Sequence, residues 1–237
     1  MPQCAKCGKV VKYKILSYGI WKCKESFPEF YDKPLCNSCF IELDYARRTE
    51  TEALCEHLRL LGLDATVESK KREYLGRWEF GTIIGSVRVA NRNIDSVEMW
   101  WNDVTEEGWH FDYYRCIYVV QANVEGLEDK LKAHTRQVRK GFLFRVVDFE
   151  WKGKELAQVL NNDADVRKTL YPLIAKYRGH SHDLPRVEIK PYRKHQCVRI
   201  SPHPRALSPA AAFPTIESFE TYDRIAHHIR SIANVRP

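Results

Sequence analysis

Two CxxC pairs, Cys4-Ala5-Lys6-Cys7 and Cys36-Asn37-Ser38-Cys39, constrain this chain more than any other feature. Two thiols separated by two residues close a tight chelate around a single ion. Two such pairs supply the four soft ligands of a tetrahedral zinc site, so the spacing assigns one structural Zn2+ to Cys4, Cys7, Cys36 and Cys39. A four-thiolate site is coordinatively closed and leaves no position for water or substrate; its work is to make a short segment fold. Cys23 lies between the pairs without a chelating neighbour. Cys55, Cys116 and Cys197 fall on expected helix or strands and read as buried apolar residues.

Eight cysteines can also form a disulfide framework in a secreted chain. The first residues carry Cys4, Lys6 and Cys7 where an export signal needs an apolar run, so a reducing, cytoplasmic setting and metal ligation are expected instead. No apolar run approaches the roughly 20 residues that span a bilayer, and no membrane partner is expected.

Between the knuckles, residues 8–24 read as a β-hairpin: Val10, Val11, Tyr13, Ile15, Leu16 and Ile20 are strand formers, and Tyr18-Gly19 can turn. Leu43, Ala46, Ala53, Leu54, Leu58 and Leu61 then recur at helical spacing, with Gly62 at the C-terminal cap position. A knuckle, a hairpin and a second knuckle that opens a helix resembles a treble-clef zinc finger over residues 4 to about 60. The resemblance implies the same four cysteine ligands.

The rest of the chain alternates strands and helices. Strands are expected over Phe80–Ala90, Ile94–Trp101, Phe111–Val124 and Phe142–Trp151, and a closing hairpin over Arg186–Lys190 and Gln196–Ile200. Asn102–Gly108 reads as a polar loop. Leu127, Leu131, His134 and Val138 mark an amphipathic helix ended by Gly141. Two more helical pieces, Lys154–Leu160 and Ala164–Tyr177, flank Asn161-Asn162-Asp163, which suits a cap or turn. Pro202, Pro204, Pro209 and Pro214 suggest an extended connector before a last helix with Phe219, Tyr222, Ala226 and Ile229 on one side. The expected fold is α+β: a treble-clef zinc module (1–62) packed on a mixed, mainly antiparallel sheet domain (63–201), then a Pro-rich connector and C-terminal helix (202–237).

Charge points to an anionic partner. The net charge is +7, and residues 176–237 hold 11 Lys/Arg against 5 Asp/Glu together with six of the nine histidines. Residues 1–24 hold six lysines and no acid. Both stretches suit phosphate contacts with DNA or RNA, so Lys9, Lys12, Lys14, Arg193 and Lys194 are candidate nucleic-acid contacts. The same lysines also stabilise a zinc–thiolate centre of negative charge. A protein-interaction adaptor, with the basic charge incidental, is a further possibility; salt dependence separates the two.

Catalytic signatures are sparse. The chain has no Walker loop, GxGxxG, GxSxG or HExxH sequence. The α-β-β-β-α-β order expected over 43–151 resembles the core of restriction-endonuclease-like, PD-(D/E)xK nucleases. That resemblance implies a metal-binding role for Asp95 and makes a metal-dependent nuclease the enzymatic alternative. Gln121 and Asn123 stand where the family's Glu and Lys belong, and neutral amides bind Mg2+ weakly and cannot act as a general base. His180-Ser181-His182-Asp183 is either a second metal site, completed by Asp183 or His203, or a polar turn. Trp78, Trp100, Trp101, Trp109 and Trp151 are either core or base-stacking residues. Trp100 and Trp101, as strand neighbours, must face opposite ways.

Overall fold

The computed structural model describes residues 3–10, 33, 35–36, 39, 49–69, 73–74, 81–106, 109–140, 145–175, 187–202, 206 and 208–234. Lys12, Lys14, Cys23, most of the expected hairpin, His180, His182, Asp183 and His203 lie outside this set. The chain divides into two compact units, Met1–Thr49 and Glu50–Pro237.

The larger unit is α+β, built on one antiparallel sheet. Its strands are β1 (Ala65–Ser69), β2 (Glu73–Tyr74), β3 (Thr82–Val89), β4 (Ser96–Glu106), β5 (Trp109–Gln121), β6 (Ala133–Lys140), β7 (Arg145–Gly153), β8 (Val187–Tyr192) and β9 (Cys197–Pro202). The order across the sheet is β1-β3-β4-β5-β9-β8-β6-β7, with β2 also pairing β3. Every ladder among the described residues is antiparallel, in line with the mainly antiparallel sheet expected. Helices are α1 (Glu50–Leu60), α2 (Glu128–Leu131), α3 (Glu155–Asn162), α4 (Ala164–Ala175), α5 (Pro209–Ala212) and α6 (Ile216–Asn234).

The apolar run Ile117–Val120 is an inner strand, as its continuous hydrophobicity implies. It lies between β4 and β9, and all four residues are buried. Cross-strand pairing also extends the β4–β5 hairpin into the segment expected to be a loop. The register continues through Asp103↔Asp112 to Glu106↔Trp109. Backbone hydrogen bonds sustain this ladder where polar side chains suggest coil.

The expected helix over 127–140 is a second correction. Only Glu128–Leu131 is helical, and β6 follows directly. Leu127 and Leu131 sit at helical spacing, but from Ala133 the pattern has period two: Ala133 and Thr135 are buried, His134 and Arg136 exposed. The Thr135 hydroxyl accepts the Val187 amide at 2.9 Å, a tie only the strand provides. With β6 a strand, the α-β-β-β-α-β order behind the nuclease resemblance is not the order observed.

Helix α1 falls in the larger unit, where it packs on β1 and β3 with Leu54 and Leu58 fully buried. The C-terminal segment is integral to the same unit. Phe219, Tyr222, Ile225, Ala226, Ile229 and Ile232 are all buried, and Tyr222 stacks on Tyr118 of β5 at 4.5 Å. Within the described part of the connector, Ala206 exchanges two backbone hydrogen bonds with Tyr114, and Ser208 caps α5 with Pro209 in its first turn.

Candidate metal centre

In the smaller unit the first knuckle is a tight turn. The Cys4 amide donates to the Lys9 carbonyl at 2.8 Å and the Gly8 amide to the Cys4 carbonyl at 2.8 Å. Gly8 turns the chain back at φ +72°, a left-handed conformation that glycine adopts without strain. Cys39 has helical backbone, and Leu35, beside Cys36, is buried.

The four sulfurs of Cys4, Cys7, Cys36 and Cys39 converge within 4.8 Å of one another. Cys7 Sγ and Cys36 Sγ are 3.7 Å apart. A tetrahedral centre with metal–sulfur bonds of about 2.3 Å has sulfur–sulfur edges of about 3.8 Å, so the residues present fit such an ion. Among the described residues this is the one cluster of His, Cys, Asp or Glu close enough to hold a metal.

Electrostatics divide the cluster. Burial works against ionising Cys4, but amides of Cys36, Cys7 and Lys6 directed at its sulfur prevail and lower its thiol to about 6. Burial, together with the neighbouring cysteines, pushes Cys39 up to about 12. Without a cation, four crowded sulfurs cannot all ionise; a bound divalent ion deprotonates coordinating thiols outright. Cys4 and Cys39 are buried, Cys36 is half-buried and Cys7 is exposed. Lys6 and Lys9 are exposed beside the knuckle.

The remaining candidates lie in the larger unit. Asp95 sits just before β4, where its Oδ2 accepts from the Gln121 amide at 2.7 Å and from Arg230 Nη2 at 2.7 Å. Its carboxylate thus ties the β3–β4 turn to β5 and α6. Arg193 and Lys194 are exposed on the short 3-10 turn Arg193–His195 between β8 and β9. Arg193 pairs with Glu125 at 2.6 Å. Trp100 and Trp151 are core residues: Trp100 packs with Ile83, Ile117 and Tyr113, and Arg115 lies 4.2 Å over its ring. Trp101, on the opposite face, is half-buried. Cys55, Cys116 and Cys197 are buried, and burial raises Cys116 to about 12.

A polar network at the α3–α4 junction was not legible beyond its cap. Asp163 Oδ1 accepts from the Asp165 and Val166 amides, capping α4. Its Oδ2 takes Arg224 Nε at 2.6 Å and His228 Nε2 at 2.7 Å, both from α6. The only sequence signal was the spacing of Arg224 and His228 on one helix face. Between α4 and α6 runs an open groove of about 790 Å³, lined in part by Asp165, Thr169, Glu217, Glu220 and His227. Comparison with family models, with curated proteins and with solved structures finds no match.

Proposed function

We propose that Cys4, Cys7, Cys36 and Cys39 hold one structural Zn2+ in a treble-clef-like module. On this reading the chain is a zinc-stabilised, non-catalytic protein that binds nucleic acid through the lysine-rich residues 6–24, with Arg193 and Lys194 as a second contact. The observation that carries the zinc assignment is the sulfur spacing, 3.7 Å across the Cys7–Cys36 edge with all four atoms within 4.8 Å. When bound, the ion supplies no reaction chemistry, since four thiolates close its coordination; it cross-links the knuckles.

The nucleic-acid half rests on charge placement. Lys6 and Lys9 are exposed at the knuckle, and residues 1–24 hold six lysines and no acid. Several C-terminal cations are instead spent within the fold: Lys190 on Glu188, Arg199 on Glu98, Arg224 on Asp163 and Arg230 on Asp95. That internal pairing shifts the weight of the reading to the N-terminal lysines.

Metal analysis of the purified protein is expected to find about one zinc per chain, and Cys36→Ser to reduce it sharply. Zinc-loaded protein is expected to bind labelled DNA or RNA with an affinity that falls steeply with salt. Replacing Lys9, Lys12 and Lys14 by glutamine should lower the log–log salt slope by about one per lysine that contacts phosphate. Absence of binding even at low salt would remove the nucleic-acid half and leave the zinc module standing, with protein partners as the next search.

A further inference from the structure

The four sulfurs differ in access. Cys7 is exposed and Cys36 half-buried, while Cys4 and Cys39 are buried. The two accessible sulfurs belong to different knuckles and lie 3.7 Å apart. Forming a disulfide bond of about 2.05 Å needs them to close by about 1.7 Å. The described cysteines of the larger unit, Cys55, Cys116 and Cys197, are buried and shielded from solutes. Among the described cysteines, a small solvent-borne oxidant therefore meets Cys7 first.

We propose that this centre is a peroxide-sensitive switch, in which Cys7 and Cys36 join in a disulfide and release the metal. The proposal rests on the zinc reading above. The Cys7 thiolate attacks an oxygen of hydrogen peroxide: a sulfur–oxygen bond forms, the peroxide O–O bond breaks, and hydroxide leaves, giving the sulfenic acid. The Cys36 thiolate then attacks the Cys7 sulfur and expels a second hydroxide as the S–S bond forms. Two sulfurs have lost two electrons, the peroxide has gained them, and two protons from solvent convert the hydroxides to water. Only Cys4 and Cys39 remain as ligands, too few to retain a structural zinc ion. A thiol reductant with added zinc reverses the change.

The test uses full-length, zinc-loaded protein, in parallel with a Cys23→Ser variant that removes a possible competing thiol. Hydrogen peroxide is added, free zinc is followed with a chromogenic chelator, and disulfides are mapped by alkylation, proteolysis and mass spectrometry. The expected result is about one zinc released per disulfide formed, a Cys7–Cys36 cross-link in both proteins, and recovery with dithiothreitol and zinc. Retention of zinc under peroxide, or release accompanied by a Cys4–Cys7, Cys36–Cys39 or Cys23 linkage, would overturn the proposal. Protein that carries no zinc before peroxide is added would overturn the zinc reading itself, so the two failures are distinguishable.

Discussion

Asp163 shows how one residue takes on several duties. It caps α4 and receives both Arg224 and His228 from α6. Burial opposes its charge, but the bonds from Arg224, His228 and the Val166 amide win and hold its carboxyl well below the ordinary value of 3.8. A depressed carboxylate stabilises the fold fully above its unfolded pKa, and that contribution is lost as pH falls through the lower, folded value. Asn at this position keeps the cap and removes the charge. Asp163→Asn is therefore expected to cost about 1–2 kcal/mol and Asp163→Ala about 2–4 kcal/mol at neutral pH, the range tempered by the half-exposed Arg224. Urea titrations should show both differences shrinking as the pH is lowered below about 4.

Edge strands must be kept from pairing with other chains, and β7 is such an edge. Asn161 of α3 covers it. Its Oδ1 accepts the Trp151 amide at 2.8 Å and its Nδ2 donates to the Trp151 carbonyl at 2.9 Å, as a neighbouring strand would. On the same strand the Phe149 amide donates to the Asp148 side chain at 2.8 Å. Asn161→Ala strips both bonds from Trp151 and should destabilise the unit by about 1–2 kcal/mol. Light scattering during thermal unfolding is expected to show earlier aggregation than in the parent protein. Unchanged stability and unchanged aggregation would mean that water replaces the amide without cost. Asn161 read as a cap or turn in the sequence; its service to a strand ten residues earlier depends on how α3 folds back on β7.

At the scale of the molecule, α6 is the element that closes the larger unit. Besides its apolar face, Asp223 accepts from the Asn93 and Ile94 amides at 2.7 and 3.0 Å, and Arg230 reaches Asp95. These bonds fasten the β3–β4 turn to a helix more than a hundred residues later. Phe219 is fully buried and meets Tyr118 edge-on at 6.2 Å. Phe219→Ala should cost about 3–5 kcal/mol, seen as a lowered denaturation midpoint. A change below about 1 kcal/mol would mean that α6 packs loosely on the sheet.

The sequence by itself determined what local patterns encode. The two CxxC spacings identified the four clustered sulfurs, because chelation needs only a short turn at each knuckle. The alternation and β-branching of β3, β5, β8 and β9, and the apolar stripe of α6, were legible for the same local reason. Tertiary structure decided the rest. Residues 133–140 form a strand because β7 and β8 are there to pair with them; Leu127, Leu131, His134 and Val138 by themselves also fit a helical spacing. The basic C-terminal quarter looked like a free cationic surface, but charge counts carry no partners. Folding placed Glu98, Asp95 and Asp163 against Arg199, Arg230 and Arg224, so much of that charge is neutralised inside the unit. Asp95 stood out in the sequence as a carboxylate on a strand, and its bonds to Gln121 and Arg230 arise only when β5 and α6 come together, through contacts too distant along the chain for any local pattern to specify.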